Sequence, residues 1–298
     1  MEVRCVVDAK CWLGEGPAWS ASEGCLWWTD VPSRRVHRWY PASGRHDVFA
    51  TPEMVISLAL RATGGLVAAT ATGVELWHPE SDERRRLAMP EADRPGNRSN
   101  DGKCDRRGRF WLGTMANNLN PDGTGRDLPG RTGNLWRIDP DGIATRMDGP
   151  FGIGNTLAWS PDDRTMYFGD SLAGIYAYDF DLDRGTIANR RPFAMTTDPA
   201  LGVPDGSAID SAGYLWNCRW GGGCVLRWAP DGSLDRRVDL PCEQVTSAAF
   251  GGPNLDILYV TTARHGLSEE ALARQPLAGG VFAIEVAVPG LAEVPFAG

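Results

Sequence analysis

The chain has 298 residues, 42% of them hydrophobic and 12 of them Trp, which is ample apolar surface for a sizeable core. A formal net charge of −8 with no long basic run argues against nucleic acid or an anionic membrane as the main partner. The 36 Gly and 21 Pro suit many tight turns between short strands.

The N-terminal segment Met1-Glu-Val-Arg-Cys-Val-Val-Asp8 lacks the charged-then-apolar pattern of a secretory leader. No run of about 18 apolar residues occurs anywhere. These features lead us to expect a soluble, cytoplasmic protein. The seven Cys (Cys5, Cys11, Cys25, Cys104, Cys218, Cys224, Cys242) are odd in number and form no C-x-x-C pair, a poor basis for a disulfide framework or a thiolate metal site. Those on strand-like runs read as small buried hydrophobes. Asn97-Arg98-Ser99 matches a glycosylation sequon that has no use without a secretory route.

From there the chain repeats. Short apolar strands begin at Glu15-Gly-Pro-Ala-Trp, Val55-Ile-Ser-Leu-Ala, Asn100-Asp-Gly-Lys-Cys, Asn155-Thr-Leu-Ala-Trp, Asp205-Gly-Ser-Ala-Ile and Val245-Thr-Ser-Ala-Ala. A strand-rich period of roughly 40–55 residues is the signature of propeller blades. Each start is followed by a turn (Ser20–Gly24, Asp105–Gly108, Ser160–Asp163, Asp210–Gly213) and a strongly β-prone second strand. The second strands are Leu26–Asp30, Leu66–Thr70, Phe110–Thr114, Met166–Asp170, Leu215–Arg219 and Leu258–Thr262. Third strands follow near Val36–Trp39, Val74–Trp77, Leu135–Ile138, Ile175–Tyr178, Val225–Trp228 and Val281–Ile284, and more polar fourth strands such as His46–Phe49 and Arg237–Leu240 close the units. The sixth unit has little chain left for a fourth strand, and Val3–Val7 has no other place, so it is expected to complete that blade and close the ring. The reading is all-β: residues 1–298 as a single six-bladed β-propeller domain.

Equivalent positions in blades face one axis, so Glu15, Asn100, Asn155 and Asp205 are expected to converge there. Taken alone, Glu15 in Leu13-Gly-Glu-Gly-Pro17 or Asp205 in Val203-Pro-Asp-Gly206 is an ordinary turn carboxylate. Their shared register with two amides points instead to a metal site. Oxygen donors without thiolate or clustered His favour a hard or borderline divalent ion, Ca²⁺ foremost, with Zn²⁺, Mn²⁺, Mg²⁺ or Fe²⁺ also open. Two facing carboxylates without a cation would repel, and one would need a raised pKa.

Antiparallel pairing puts the loops after the second strands around the same mouth. The longest, Met115 to Gly133, is rich in Asn, Asp, Gly and Pro and reads as a lid. Arg98 could point into the mouth toward a substrate oxygen or form an ion pair on the rim. Trp220 could stack on a sugar face, whereas most other Trp read as core between blades. Gly169-Asp-Ser-Leu172 resembles the nucleophile box of lipase-like hydrolases, but no Asp-x-x-His follows it and the only downstream His is His265. Ser171 therefore reads as a turn residue. The four His are dispersed, and His265 is expected on the surface of a mouth-side loop.

The motifs Leu13-Gly-Glu-Gly-Pro17, Arg98-Ser-Asn-Asp-Gly-Lys103, Gly108-Arg-Phe-Trp-Leu-Gly-Thr-Met115, Asn155-Thr-Leu-Ala-Trp-Ser-Pro-Asp162, Pro204-Asp-Gly206, Phe250-Gly-Gly252 and Ala278-Gly-Gly-Val-Phe282 resemble the senescence marker protein/gluconolactonase/regucalcin family, in order and over nearly the whole chain. The resemblance implies a six-bladed propeller, one catalytic divalent metal and hydrolysis of sugar-acid lactones. It implies metal ligands at Glu15, Asn155 and Asp205, with Asp205 also the general base. It further implies substrate contacts at Arg98 and Asn100. The lid Glu of animal members is replaced around Asn117-Asn118, which makes Asn118 a substrate-contact candidate. Thr156 stands where a Gly often follows the metal-binding Asn, a second departure that bears on substrate preference.

The overall likeness is to bacterial pentonolactonases acting in pentose or hexose oxidation, with arabinono-, xylono- or gluconolactone as substrate, in a monomer or weak homo-oligomer. Rival readings are a propeller phosphotriesterase or aryl esterase, and a non-catalytic calcium-binding propeller.

Overall fold

Short β-prone runs broken by Asp, Gly and Pro turns pair locally, and the result is six four-stranded antiparallel sheets. The structure is a computed structural model that describes residues 1–120 and 122–298. Blade 1 takes Gly14–Ser20, Cys25–Asp30, Arg35–Trp39 and His46–Ala50, and blade 2 Val55–Leu60, Leu66–Thr70, Val74–His78 and Glu83–Ala88. Blade 3 takes Asn97–Cys104, Phe110–Ala116, Gly133–Ile138 and Ala144–Phe151, and blade 4 Gly154–Trp159, Thr165–Asp170, Gly174–Asp181 and Thr186–Met195. Blade 5 takes Val203–Ile209, Leu215–Trp220, Cys224–Trp228 and Leu234–Asp239. Blade 6 takes Val245–Gly251, Ile257–Thr262 and Val281–Glu285, and Val3–Val7 pairs antiparallel with Val281–Glu285 as its outer strand. Each blade's innermost strand packs on that of the next, and the sixth returns to the first. This is the expected six-bladed propeller, closed by the expected N-terminal strand.

Second strands lie between neighbouring blades, so both of their faces are covered. That explains their near-continuous apolar sequence. Trp28, Trp111 and Trp216 from second strands and Trp77 from a third strand are among the largest fully buried side chains. Two turns add a repeated device. Asp105 accepts from the amides of Arg107 and Arg109, from Arg109 Nε at 2.7 Å and from Trp111 Nε1 at 2.8 Å. Asp210 does the same with the amides of Ala212 and Tyr214, with Arg227 and with Trp216 Nε1. One buried carboxylate thus ties a turn to the indole six residues on.

Every innermost strand carries a register shift at its start: between Glu15 and Ala18, Val55 and Ser57, Ser99 and Gly102, Asn155 and Leu157, Pro204 and Ser207, and Val245 and Ser247. A bulge re-aims the side chain it carries, and here it recurs at the repeat's marker position. The far end of the channel is crossed by the C-terminal tail. Gly290 bridges to Asp210, Phe296 bridges to Arg61 with its ring fully buried between blades 2 and 3, and Glu293 pairs with Lys103 at 3.3 Å. A six-residue helix, Glu269–Arg274, sits in the mouth-side connection of blade 6. Among the described residues no helix is long and apolar enough to cross a membrane.

Candidate active site

The bulges bring the marker side chains to a cavity of about 400 Å³ at the channel mouth. Glu15, Arg98, Asn100, Asn155 and Asp205 line it from the inner strands, Asn118, Ser171 and His265 from the loops after second strands, and Trp220 from the end of one. Close approach of the inner strands needs residues without side chains beside the markers. Gly16 sits at φ 53° with Ser57 Cα 3.2 Å from where a Cβ would be, and a Cβ on Gly206 would clash with Ser247.

A chain of hydrogen bonds fixes the amides. A guanidinium has only donors, so Asn100 turns its Oδ1 to Arg98 Nη1 (2.8 Å) and its Nδ2 to Asn155 Oδ1 (2.9 Å). Asn155 Nδ2 must then point away, and it donates to Ser171 Oγ at 2.9 Å. Ser171 donates its own proton to Pro204 O at 2.7 Å. Both Asn155 and Asp205 are buried, and Asn155 Oδ1, which accepts only from Asn100 among the described residues, keeps a lone pair free in the cavity that Asp205 shares. The Ser171 hydroxyl is thus spent on a backbone carbonyl, which leaves it no base and agrees with its reading as a turn residue.

Arg98 does not form the rim ion pair. Its Nη1 also donates to Ser99 O (2.8 Å) and its Nη2 to Asn118 Oδ1 (2.9 Å), so one buried cation clamps the Asn100 and Asn118 amides. Burial lowers its pKa to about 10, with the Glu15 and Asp205 carboxylates acting the other way, so it stays charged at neutral pH. Burial first, and then Asp205 and Asp101, push the Glu15 carboxyl well above its usual range. Burial and then Asp101 do the same to Asp205. Among the described residues neither Glu15 nor Asp205 has an ion-pair partner. Two secluded carboxylates beside amide oxygens, with no thiolate among them and the Arg98 guanidinium turned onto the amides, make a donor set suited to a hard divalent ion.

Three placements differ from the sequence reading. His265 is on the cavity wall rather than the outer surface. It lies between Trp12 (6.0 Å) and Trp220 (6.3 Å between rings), and burial, then Arg98, lowers its pKa. Its approach depends on the packing of a loop, which leaves no local signal in the sequence. Thr156 is not on the cavity lining. At φ 51°, rare for a β-branched residue, it donates to Asp205 O at 2.5 Å, and Asn217 Nδ2 reaches the same carbonyl at 3.0 Å. The departure at Thr156 therefore bears on how Asp205 is held rather than on substrate space. The long loop is pinned at both ends: Leu119 packs with Val31, Met54 and Ile56 of blades 1 and 2, and Arg131 pairs with Asp170 of blade 4 at 2.7 Å. Residue 121 of this expected lid lies outside the described residues.

The profile of the SMP-30/Gluconolactonase/LRE-like region matches residues 13–264. Regucalcin of Oryctolagus cuniculus is 36% identical over 301 residues, covering 100% of this chain and 99% of the relative. The 6-deoxy-6-sulfogluconolactonase of Pseudomonas putida is 38% identical over 299 residues, 99% of each. Among solved structures, a regucalcin of Agrobacterium tumefaciens described as a calcium-binding protein superposes with a TM-score of 0.91 at 31% identity, covering 99% of this chain and 97% of that one. The chain is about as similar to the animal protein as to the bacterial lactonase, so overall similarity does not select among sugar lactones.

Proposed function

The chain belongs to the SMP-30/gluconolactonase/LRE-like family, and from that premise we propose that it hydrolyses a sugar-acid (aldono) lactone to the aldonic acid in this cavity. The reaction depends on one divalent metal ion held by Glu15, Asn155 and Asp205. The observation that carries this reading is the pair of secluded carboxylates that lack an ion-pair partner and share a cavity with two oriented amides. A bound ion supplies Lewis-acid polarisation of the lactone carbonyl and of the oxygen charge that develops there.

The chain's own residues supply the rest. Asp205 accepts the proton of the attacking water, and its backbone is held by Thr156 and Asn217. Asn100 and Asn118, oriented by the Arg98 clamp, meet the ring hydroxyls of the sugar. Trp220 offers a flat apolar face at the wall. A mouth rich in amides and one guanidinium suits a polyol better than a greasy ester. The test is pH-indicator hydrolysis of a panel of pentono- and hexonolactones beside aryl esters and phosphotriesters. Turnover of the sugar lactones well above the others supports the proposal. Preference for an ester or phosphotriester would replace it with the esterase reading, and no turnover of any substrate would favour a binding propeller.

Ser171 gives a sharper expectation. As the acceptor that orients Asn155, it acts on the metal ligand and not on the substrate. Losing such a supporting partner typically weakens metal affinity by about 10–100-fold. Ser171→Ala is therefore expected to need more metal, yet to turn over within a few fold of the wild type once saturated. A loss of about 10³-fold or more at saturating metal would instead make Ser171 a nucleophile.

A further inference from the structure

A second set of ligand-type side chains lies outside the cavity lining, at the seam where the ring closes. Cys11 precedes the inner strand of blade 1, and its amide donates to Gly279 O of blade 6 at 2.8 Å. Asp30 ends the second strand of blade 1 and His37 lies on the third. Ligand atoms of Cys11, Asp30 and His37 are all within 4.8 Å of one another. The three residues are 1%, 4% and 4% exposed.

His37 supplies the independent observation. Its Nδ1 is 2.9 Å from Nε2 of His46, which lies on the outermost strand. The two nitrogens of an imidazole face in divergent directions, so Nε2 of His37 faces away from His46. It is buried and has no hydrogen-bond partner among the described residues. A buried ring nitrogen with nothing to bond is costly, whereas a ligating His usually has its other ring N–H held by a second group, the role His46 fills here. Trp28 stacks on His37 at 4.9 Å and donates its indole N–H to Cys11 Sγ at 3.4 Å, which favours a thiolate. Asp30 is steadied by the Leu13 amide at 3.0 Å.

We propose that Cys11, Asp30 and His37 form a structural site for a transition-metal ion of the zinc class, one that staples the N-terminal segment to blade 1 across the blade 6–blade 1 seam. One sulfur, one nitrogen and one oxygen form a softer donor set than the all-oxygen set of the cavity, and it suits Zn²⁺ over Ca²⁺. Zinc bonds of about 2.0–2.3 Å require the three side chains to draw together from their present separation. Burial, then Asp30, pushes the Cys11 thiol up to about 12, and burial holds His37 down to about 3. The ion-free site therefore carries a thiol and a neutral imidazole, and each ion that binds displaces one proton from Cys11 to solvent.

The test uses the full-length protein, stripped of metal and titrated with Co²⁺ as a spectroscopic stand-in. The expected result is a thiolate-to-cobalt charge-transfer band that Zn²⁺ abolishes by displacement. The band should be lost in Cys11→Ala and retained in Glu15→Gln, which leaves the seam intact. Zn²⁺ should also raise the Tm of the wild type by more than that of Cys11→Ala, which keeps only the cavity site. No charge-transfer band in the folded wild type would overturn the proposal whatever the variants do, and so would a band that survives in folded Cys11→Ala.

Discussion

Asp205→Asn is expected to lower lactone turnover by about 10²–10⁴-fold even at saturating metal, the usual effect of removing a general base. An amide keeps one oxygen for the ion but cannot take a proton from water. Its isosteric shape preserves the backbone bonds that Thr156 and Asn217 make to the residue 205 carbonyl, so the fold should not change. Glu15→Gln is the control, because it removes one ligand charge from blade 1 and leaves the proposed base on blade 5 in place. Its loss should appear as weaker metal affinity that excess ion largely recovers. Saturated rates of both variants, each taken from a full metal titration, separate the two roles. If excess ion rescues Asp205→Asn as fully as Glu15→Gln, then Asp205 is a ligand only.

Asp210→Ala is expected to destabilise the fold by about 3 kcal/mol, the lower end of the range for breaking a buried ion pair. For a chain of this size that lowers Tm by roughly 6–12 °C. The fully buried carboxylate serves two turn amides, the Trp216 indole and the Arg227 guanidinium, which bonds it at 2.6 Å and lies 3.6 Å over the Tyr214 ring. Alanine leaves all of these donors without their acceptor. Arg227 retains Asp235 at 2.8 Å, a more exposed partner, and this sets the expectation at the lower end. Asp210→Asn, which can still accept from the turn amides, should fall between the two. Thermal unfolding followed by far-UV circular dichroism decides the matter, and a Tm within about 2 °C of the wild type for Asp210→Ala would contradict the account.

The propeller could be read from the sequence because each blade is a local unit. Strand, turn and strand follow within a few dozen residues, and the odd strand Val3–Val7 had only the last blade's free edge to join. The marker side chains could be read for the same reason: equivalent positions in a ring must face one axis. The bulge beneath each marker could not, since a bulge is a property of pairing between two strands and leaves no fixed residue signature. Ser171 shows the same limit. Its box suggested only a nucleophile to weigh and set aside; its hold on Asn155 lies within blade 4, and the Pro204 carbonyl that takes its proton appears only once blade 5 is alongside. Thr156 was legible as a departure from a family pattern, but its place under Asp205 was not. Cys11, Asp30 and His37 have no motif spacing; Asp30 and His37 meet through the pairing of blade 1's second and third strands, and Cys11 joins them at the Trp28 indole. Likewise, nothing in the composition of the last residues indicates that Phe296 is buried and that Glu293 pairs with Lys103 across the channel's far end.

The central claim is that lactone hydrolysis requires an ion held by Glu15, Asn155 and Asp205. The most direct test is one titration of a chelator-stripped preparation with an oxygen-preferring divalent ion such as Ca²⁺, following bound ion and lactone turnover together. The expected result is no turnover above background in the stripped protein, recovery in step with occupancy, and a parallel shift of both curves to higher ion concentration in Asn155→Ala. Full turnover in a preparation that holds no ion in the cavity would contradict the claim.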